Sequence, residues 1–434
     1  MNKRTLIIGI GAAVAIGLLT LISATRWSDA RAGGDSPPQT YAATSEAIAR
    51  GAYLARIGDC AACHSVEGQP PYSGGLRMAT PIGAIYTSNI TPDRQHGIGK
   101  YTLADFDRAL RYGVAAGHTL YPAMPYSAYF VTTPDDVAAL YAYFMHEVQP
   151  APTPRRVNEI PFPLSMRWPL TIWRWAFAPA PRPFQRQEGD AVLRRGAYIV
   201  EGLGHCGDCH TPRGPGLQVK ALNAAAGPAY LAGAMIDGWH APSLRNGGSG
   251  SIGGWSEQDI AQFLRTGSNR HGLAFASMNE VIANSTQFLS EEDATAVARF
   301  LKTLKDDGPQ ERYAYDPAVA RSLRNGDAGH RGAQLYLDNC AACHRPDGKG
   351  YEGVFPALAG NPAVAGGPAD SVIRIVLEGM RTARTSATPA QFAMPAFAWR
   401  LSDQDVADVT TFVRGSWGNQ APAVDAADVK RIRH

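Results

Sequence analysis

The sequence predicts a mainly α chain built of three tandem units of one kind. Three observations predict it. The six cysteines fall into three identical Cys-x-x-Cys-His motifs, at Cys60, Cys63 and His64, at Cys206, Cys209 and His210, and at Cys340, Cys343 and His344. Each motif follows an amphipathic helical stretch that opens with Arg and Gly, at Arg50, Arg195 and Arg331. Each unit closes on a helix announced by a hydroxyl residue and carboxylates, at Thr133, Ser290 and Ser402. The length of 434 residues suits about two to four domains. With 45% apolar and 18% charged residues the chain is not disordered.

The first element is an export segment. Lys3 and Arg4 precede residues 5–23, which carry no charge, and Ala30, Arg31 and Ala32 form a small-x-small cleavage pattern. Residues 1–32 read as a signal peptide in preference to an uncleaved anchor, and either reading sends the rest of the chain out of the cytoplasm. This segment also holds the whole net charge of +3, through Lys3, Arg4, Arg26 and Arg31 against Asp29. The remainder is neutral, which gives no support to nucleic-acid binding.

The spacing of the cysteines decides their chemistry. Six cysteines in an exported chain would ordinarily suggest three disulfides. Zinc sites need paired Cys-x-x-Cys units at short spacing, and a redox dithiol does not demand a following His. Cys-x-x-Cys-His is the attachment sequence of c-type haem, in which two thiols bond the vinyl groups and the His ligates the iron. The order of first helix, attachment motif, loops and last helix is that of a class I cytochrome c domain. The units are residues 46–150, 186–308 and 325–418. Residues 151–185 form a Pro- and Trp-rich connector, and residues 419–434 a polar tail.

A second axial ligand is expected from the loop before each last helix. Met124, Met278 and Met394 sit there in all three units, which raises them above the usual core-filling role of methionine. His118 and His271 are the rivals in the first two units, and the third has no equivalent. Met145 lies inside a last helix, and Met380 has no counterpart in the other units.

Longer stretches extend these motifs, among them MATPIGAIYTSNITPD (78–93), LYPAMPYSAY (120–129), GHCGDCHTPRG (204–214), DNCAACH (338–344) and VFPALAGNP (354–362). With them the chain, over nearly all of its length after residue 45, resembles the triheme cytochrome c subunit of bacterial membrane-associated alcohol, gluconate, sorbitol and fructose dehydrogenase complexes. The resemblance implies three haem c groups with His/Met ligation. It implies a catalytic partner subunit carrying flavin or pyrroloquinoline quinone, and a small third subunit. Electrons would pass to ubiquinone on the periplasmic side of the cytoplasmic membrane. One departure from the family is Tyr101, where Trp is expected.

Trp168, Trp173 and Trp175 in the connector, interleaved with Arg167 and Arg174, suit a membrane interface or inter-domain packing equally well. No catalytic constellation is visible, so no substrate-oxidising site of its own is expected. Two other functions fit the same motifs. One is a free multihaem carrier. The other is a peroxidase-like enzyme, which needs an open iron position.

Overall fold

The computed structural model describes residues 3–33, 41–182, 184, 189–306 and 313–433. The chain divides into two compact units. One comprises Met1–Ala55 with Cys63–Gln185, the other Arg56–Ala62 with Arg186–His434. Among the described residues, named strands occur only as five two-stranded antiparallel pairs, and helices form the rest of the framework.

One helix crossing recurs three times. Ser45–Ile57 meets Pro134–His146, Ala191–Glu201 meets Glu291–Thr303, and Arg331–Asn339 meets Asp403–Arg414. The later helix begins where its cap dictates: Thr133, Ser290 and Ser402 each accept the backbone N–H three residues on. The Asp at that position then pairs with an Arg of the earlier helix, which opens that helix in the third repeat and lies one turn inside it in the first two. The distances are 2.6 Å for Arg50–Asp136, 2.7 Å for Arg195–Asp293 and 2.7 Å for Arg331–Asp405.

The glycine after each Arg lets the backbones touch. A Cβ on Gly51 would lie 1.9 Å from the Ala139 carbonyl oxygen, one on Gly196 1.9 Å from that of Ala296, and one on Gly332 2.3 Å from that of Asp408. In an isolated helix Gly→Ala is stabilising by roughly 1 kcal/mol. Here the sign reverses, because the obstacle is backbone. Gly196→Ala is expected to cost on the order of 1–3 kcal/mol, seen as a lower midpoint of thermal unfolding.

A third helix completes each repeat: Leu103–Tyr112, Glu257–Thr266 and Asp370–Glu378. The first two carry full capping boxes, Thr102 with Asp105 and Ser256 with Asp259. All three end on a glycine with positive φ, Gly113, Gly267 and Gly379. A short hairpin follows each glycine. In the first repeat Val114–Ala115 pairs with His118–Thr119, and in the second Ser268–Asn269 pairs with Gly272–Leu273. In the third, Met380–Arg381 pairs with Ala393–Met394.

In the first unit the helix Lys3–Arg31 runs on from the N-terminus, and the connector forms the helix Trp168–Phe177. The second unit holds the second and third repeats, joined by direct bonds. The His240 N–H donates to Ser371 Oγ at 2.8 Å, Arg374 Nε to the Gly238 carbonyl at 2.9 Å, and Asn279 Nδ2 to the Arg381 carbonyl at 2.7 Å. Gly250 and Gly366 meet so closely that a Cβ on Gly366 would lie 2.2 Å from the Gly250 Cα.

The third repeat reaches further than residues 325–418 at both ends. The helix Ala318–Arg324 buries Ala320 and Leu323 in its core, and the tail forms the helix Ala426–Arg433. Val429 and Ile432, three residues apart, share the buried face of that tail helix. Arg433 and Arg431 tie it to Asp403 and Asp370.

Candidate functional site

The three Cys-x-x-Cys-His motifs wind into single helical turns, Cys60–His64, Gly207–His210 and Ala341–His344. That winding holds each imidazole against a loop carbonyl. The Nδ1–H of His64 donates to the Ser88 carbonyl at 2.7 Å, that of His210 to Pro242 at 2.8 Å, and that of His344 to Pro356 at 3.0 Å. A carbonyl can only accept, so Nδ1 carries the proton and Nε2 keeps its lone pair for a metal. Burial also favours the neutral ring. It lowers the pKa of His64 and His344, and pulls His210 down to about 4.

The third repeat shows what these turns face. One cavity is lined by Cys340, Cys343, His344 and Met394 together, with Phe355, Phe392 and Phe397 among its apolar walls. Two thiols, an imidazole with a free Nε2 and a thioether around an apolar slot fit a covalently held haem. Met380 also lines this cavity, in register opposite Met394 across the hairpin. The sequence reading set Met380 aside for want of counterparts, and only the strand pairing reveals its position.

Met124 and Met278 follow the corresponding hairpins, half-buried. Met124 lies just before the helix Tyr126–Tyr129, its carbonyl accepting the Tyr126 N–H at 2.8 Å. Met278 sits in the first turn of Ser277–Asn284 and packs against Ala274, Ile282 and Ala383. Of the rival histidines, one is exposed and the other is engaged by its neighbours. His118 is exposed on its hairpin. His271 stacks on Trp255 at 5.3 Å and reaches Asp259 at 3.4 Å.

None of the six cysteines is in a disulfide. Burial pushes the thiols of Cys206 and Cys340 up to about 12 and that of Cys209 to about 11, the opposite of a reactive redox dithiol. Among the described residues, no three of His, Cys, Asp and Glu gather as a metal-binding group.

The carboxyl of Asp59, which precedes the first motif, is raised to about 8 by burial and then by Glu280, and its Oδ1 has no hydrogen-bond partner. The folded chain therefore keeps a proton that the unfolded chain, with a value near 3.8, has released. Stability linked to this group is full below about pH 4 and is lost as the pH rises toward 8. Asp59→Asn, which tolerates the left-handed backbone there (φ 54), is expected to flatten that slope. At pH 8 it should gain about 2–4 kcal/mol, read from thermal unfolding across pH 5–8.

The three carbonyls that orient the histidines escaped the sequence reading. Pro-x-Leu at Pro242 and Pro356 was a partial signal, and Ser88 breaks it. Beside Ser88, the buried Asn89 braces the loop, its amide donating to the Ala151 and Thr153 carbonyls at 2.8 and 3.2 Å.

The family model described as cytochrome c matches residues 330–417, the third repeat. Across its length the chain is similar to the gluconate 2-dehydrogenase cytochrome c subunit of Pantoea cypripedii, 52% identical over 89% of each chain. It is 48% identical to the cytochrome c subunit of the quinone alcohol dehydrogenase of Gluconacetobacter polyoxogenes, over 92% of this chain and 87% of that one. It is 39% identical to the fructose dehydrogenase cytochrome subunit of Gluconobacter japonicus, over 91% and 84%.

Proposed function

The chain belongs to the family of cytochrome c subunits of gluconate, alcohol and fructose dehydrogenases, and from that premise we propose that it carries three covalent haem c groups and relays electrons to membrane ubiquinone. Electron transfer and a catalytic dehydrogenase partner come with the family. In this reading the donor is a flavin- or pyrroloquinoline-quinone-dependent dehydrogenase of alcohols, sugars or sugar acids. A small third subunit accompanies it, and the assembly works on the periplasmic side of the cytoplasmic membrane. The three repeats are then three class I cytochrome c domains in tandem.

The observation that carries the proposal is the threefold imidazole geometry, with Nδ1–H committed to a backbone carbonyl at each motif. When bound, haem supplies a one-electron iron centre. Cys60 and Cys63, Cys206 and Cys209, and Cys340 and Cys343 would hold it by thioether bonds. His64, His210 and His344 would ligate the iron, with Met124, Met278 and Met394 as the second protein ligands. The Ser88, Pro242 and Pro356 carbonyls fix the tautomer and orientation of each ring. Aromatic walls such as Phe355 and Phe392 keep water from the third slot.

The test uses the chain purified with its dehydrogenase. Pyridine haemochrome should count three haems per chain. Substrate-driven ubiquinone reduction should vanish when the chain is omitted, while dye reduction by the dehydrogenase persists. A count of two, or quinone reduction at an unchanged rate without the chain, would overturn the proposal.

A further inference from the structure

Residues 1–32 satisfy the pattern of a removable leader, yet the structure treats the two ends of this helix differently. From Ile10 to Thr20 every residue is exposed. The segment Ile10–Arg31 has a mean hydropathy of 1.5 and is long enough to cross a membrane. Residues 5–23 would rise about 28 Å as a helix, close to the roughly 30 Å apolar thickness of a bilayer. Past that run the helix turns polar and docks. Thr25, Asp29 and Ala32, spaced along one face, are buried.

Asp29 is the centre of the dock. The residue is only 4% exposed, and its carboxylate accepts four hydrogen bonds. Oδ2 takes the Thr119 N–H at 3.0 Å and the Thr171 hydroxyl at 2.9 Å. Oδ1 takes the Thr119 hydroxyl and Arg174 Nη2, both at 3.0 Å. Four donors fill the acceptor sites of a carboxylate, and the guanidinium balances its charge. The neighbouring Ser28 Oγ accepts the Trp175 indole N–H at 3.0 Å and Arg174 Nη2 at 3.3 Å. Thr171, Arg174 and Trp175 of the Trp-rich connector thus all bond to the N-terminal helix.

We propose that this helix is a membrane anchor retained in the mature protein, clasped to the first repeat through Asp29, and not a leader removed after Ala32. Cutting there would strip the half-buried Arg174 of its counter-charge and the buried Thr119 and Thr171 of their acceptor. The pattern at Ala30, Arg31 and Ala32 is also poorly presented, since the chain is helical through Arg31 and Ala32 is buried. Trp27 (61% exposed) and Trp175 (47%) mark the level where the apolar run ends, the place of an aromatic belt at a membrane interface. Lys3 and Arg4 at the other end hold that terminus in the cytoplasm. Thr119 lies five residues before Met124, so the clasp fixes the loop of one expected iron ligand beside the bilayer. The proposal does not depend on which acceptor receives the electrons.

The test is the N-terminus of the chain isolated from membranes of cells that make it. Sequencing should start at Met1 or Asn2, and a chain starting at Gly33 or later overturns the proposal. The clasp is tested in the full-length chain by Asp29→Ala, with the haem spectrum as the check on folding. Trypsin added from the outer side should release the haem-bearing part of this variant from membranes at least tenfold faster than wild type. Thr171→Val, a milder change that removes one bond of the four, should move the rate in the same direction by a smaller factor. Equal release rates for all three chains would overturn the clasp.

Discussion

A chain with both Cys340 and Cys343 replaced by Ala is expected to carry two covalent haems and to lose the fold of its third repeat. The reason lies in the second apolar surface that the repeat presents beside its own buried core. Its helices are short, nine residues in Arg331–Asn339 and twelve in Asp403–Arg414. They cross over a cluster of Tyr336, Phe412 and Trp417, with ring centroids 5.2–5.7 Å apart. Phe355, Phe392 and Phe397 line the slot, and the faces they turn into it lose their packing partner when no haem is held there. A domain margin of about 5–15 kcal/mol is small against the apolar burial that a haem between these walls would supply. Haemochrome counting and limited proteolysis check this. A third repeat as resistant as wild type would show that the fold stands without its cofactor.

Met394→Ala is expected to leave one iron per chain able to bind carbon monoxide, with a lower potential. The soft thioether favours the ferrous state, and its loss removes that bias. Met380, opposite Met394 in the hairpin, supplies the control. Met380→Ala should bind no carbon monoxide and keep its spectrum. The reverse result would assign the ligand to Met380. Met124→Ala and Met278→Ala should each open one further iron. An unperturbed low-spin spectrum in either would transfer that role to His118 or His271.

What the sequence made legible was whatever side chains announce locally. The attachment motifs, the caps at Thr133, Ser290 and Ser402, and the Arg and Gly openings are all local signals, and each reappears as a defined contact. The third helix of the first two repeats is equally legible from the boxes at Thr102 and Ser256, whereas Asp370–Glu378 has no side-chain cap to announce it. Other features are written in no side chain. The carbonyls of Ser88, Pro242 and Pro356 lie 24, 32 and 12 residues beyond their histidines, and a backbone acceptor has no residue identity. Met380 reaches the slot only because strand pairing brings it across from Met394. Asp29 looked like a stray charge in a leader, because its partners Thr119, Thr171 and Arg174 are 90 or more residues away.

The second and third repeats share one compact body, sewn by Ser371 to His240, by Arg374 to Gly238 and by glycine against glycine at Gly250 and Gly366. If each of these repeats carries a haem, as proposed, two redox centres embedded in one such body would not drift apart between encounters. Tunnelling between them would then proceed at a constant gap, indifferent to solvent viscosity and to the tumbling of flexible linkers. That stretch of the proposed relay would be wired as a solid-state junction, with no diffusive search within it.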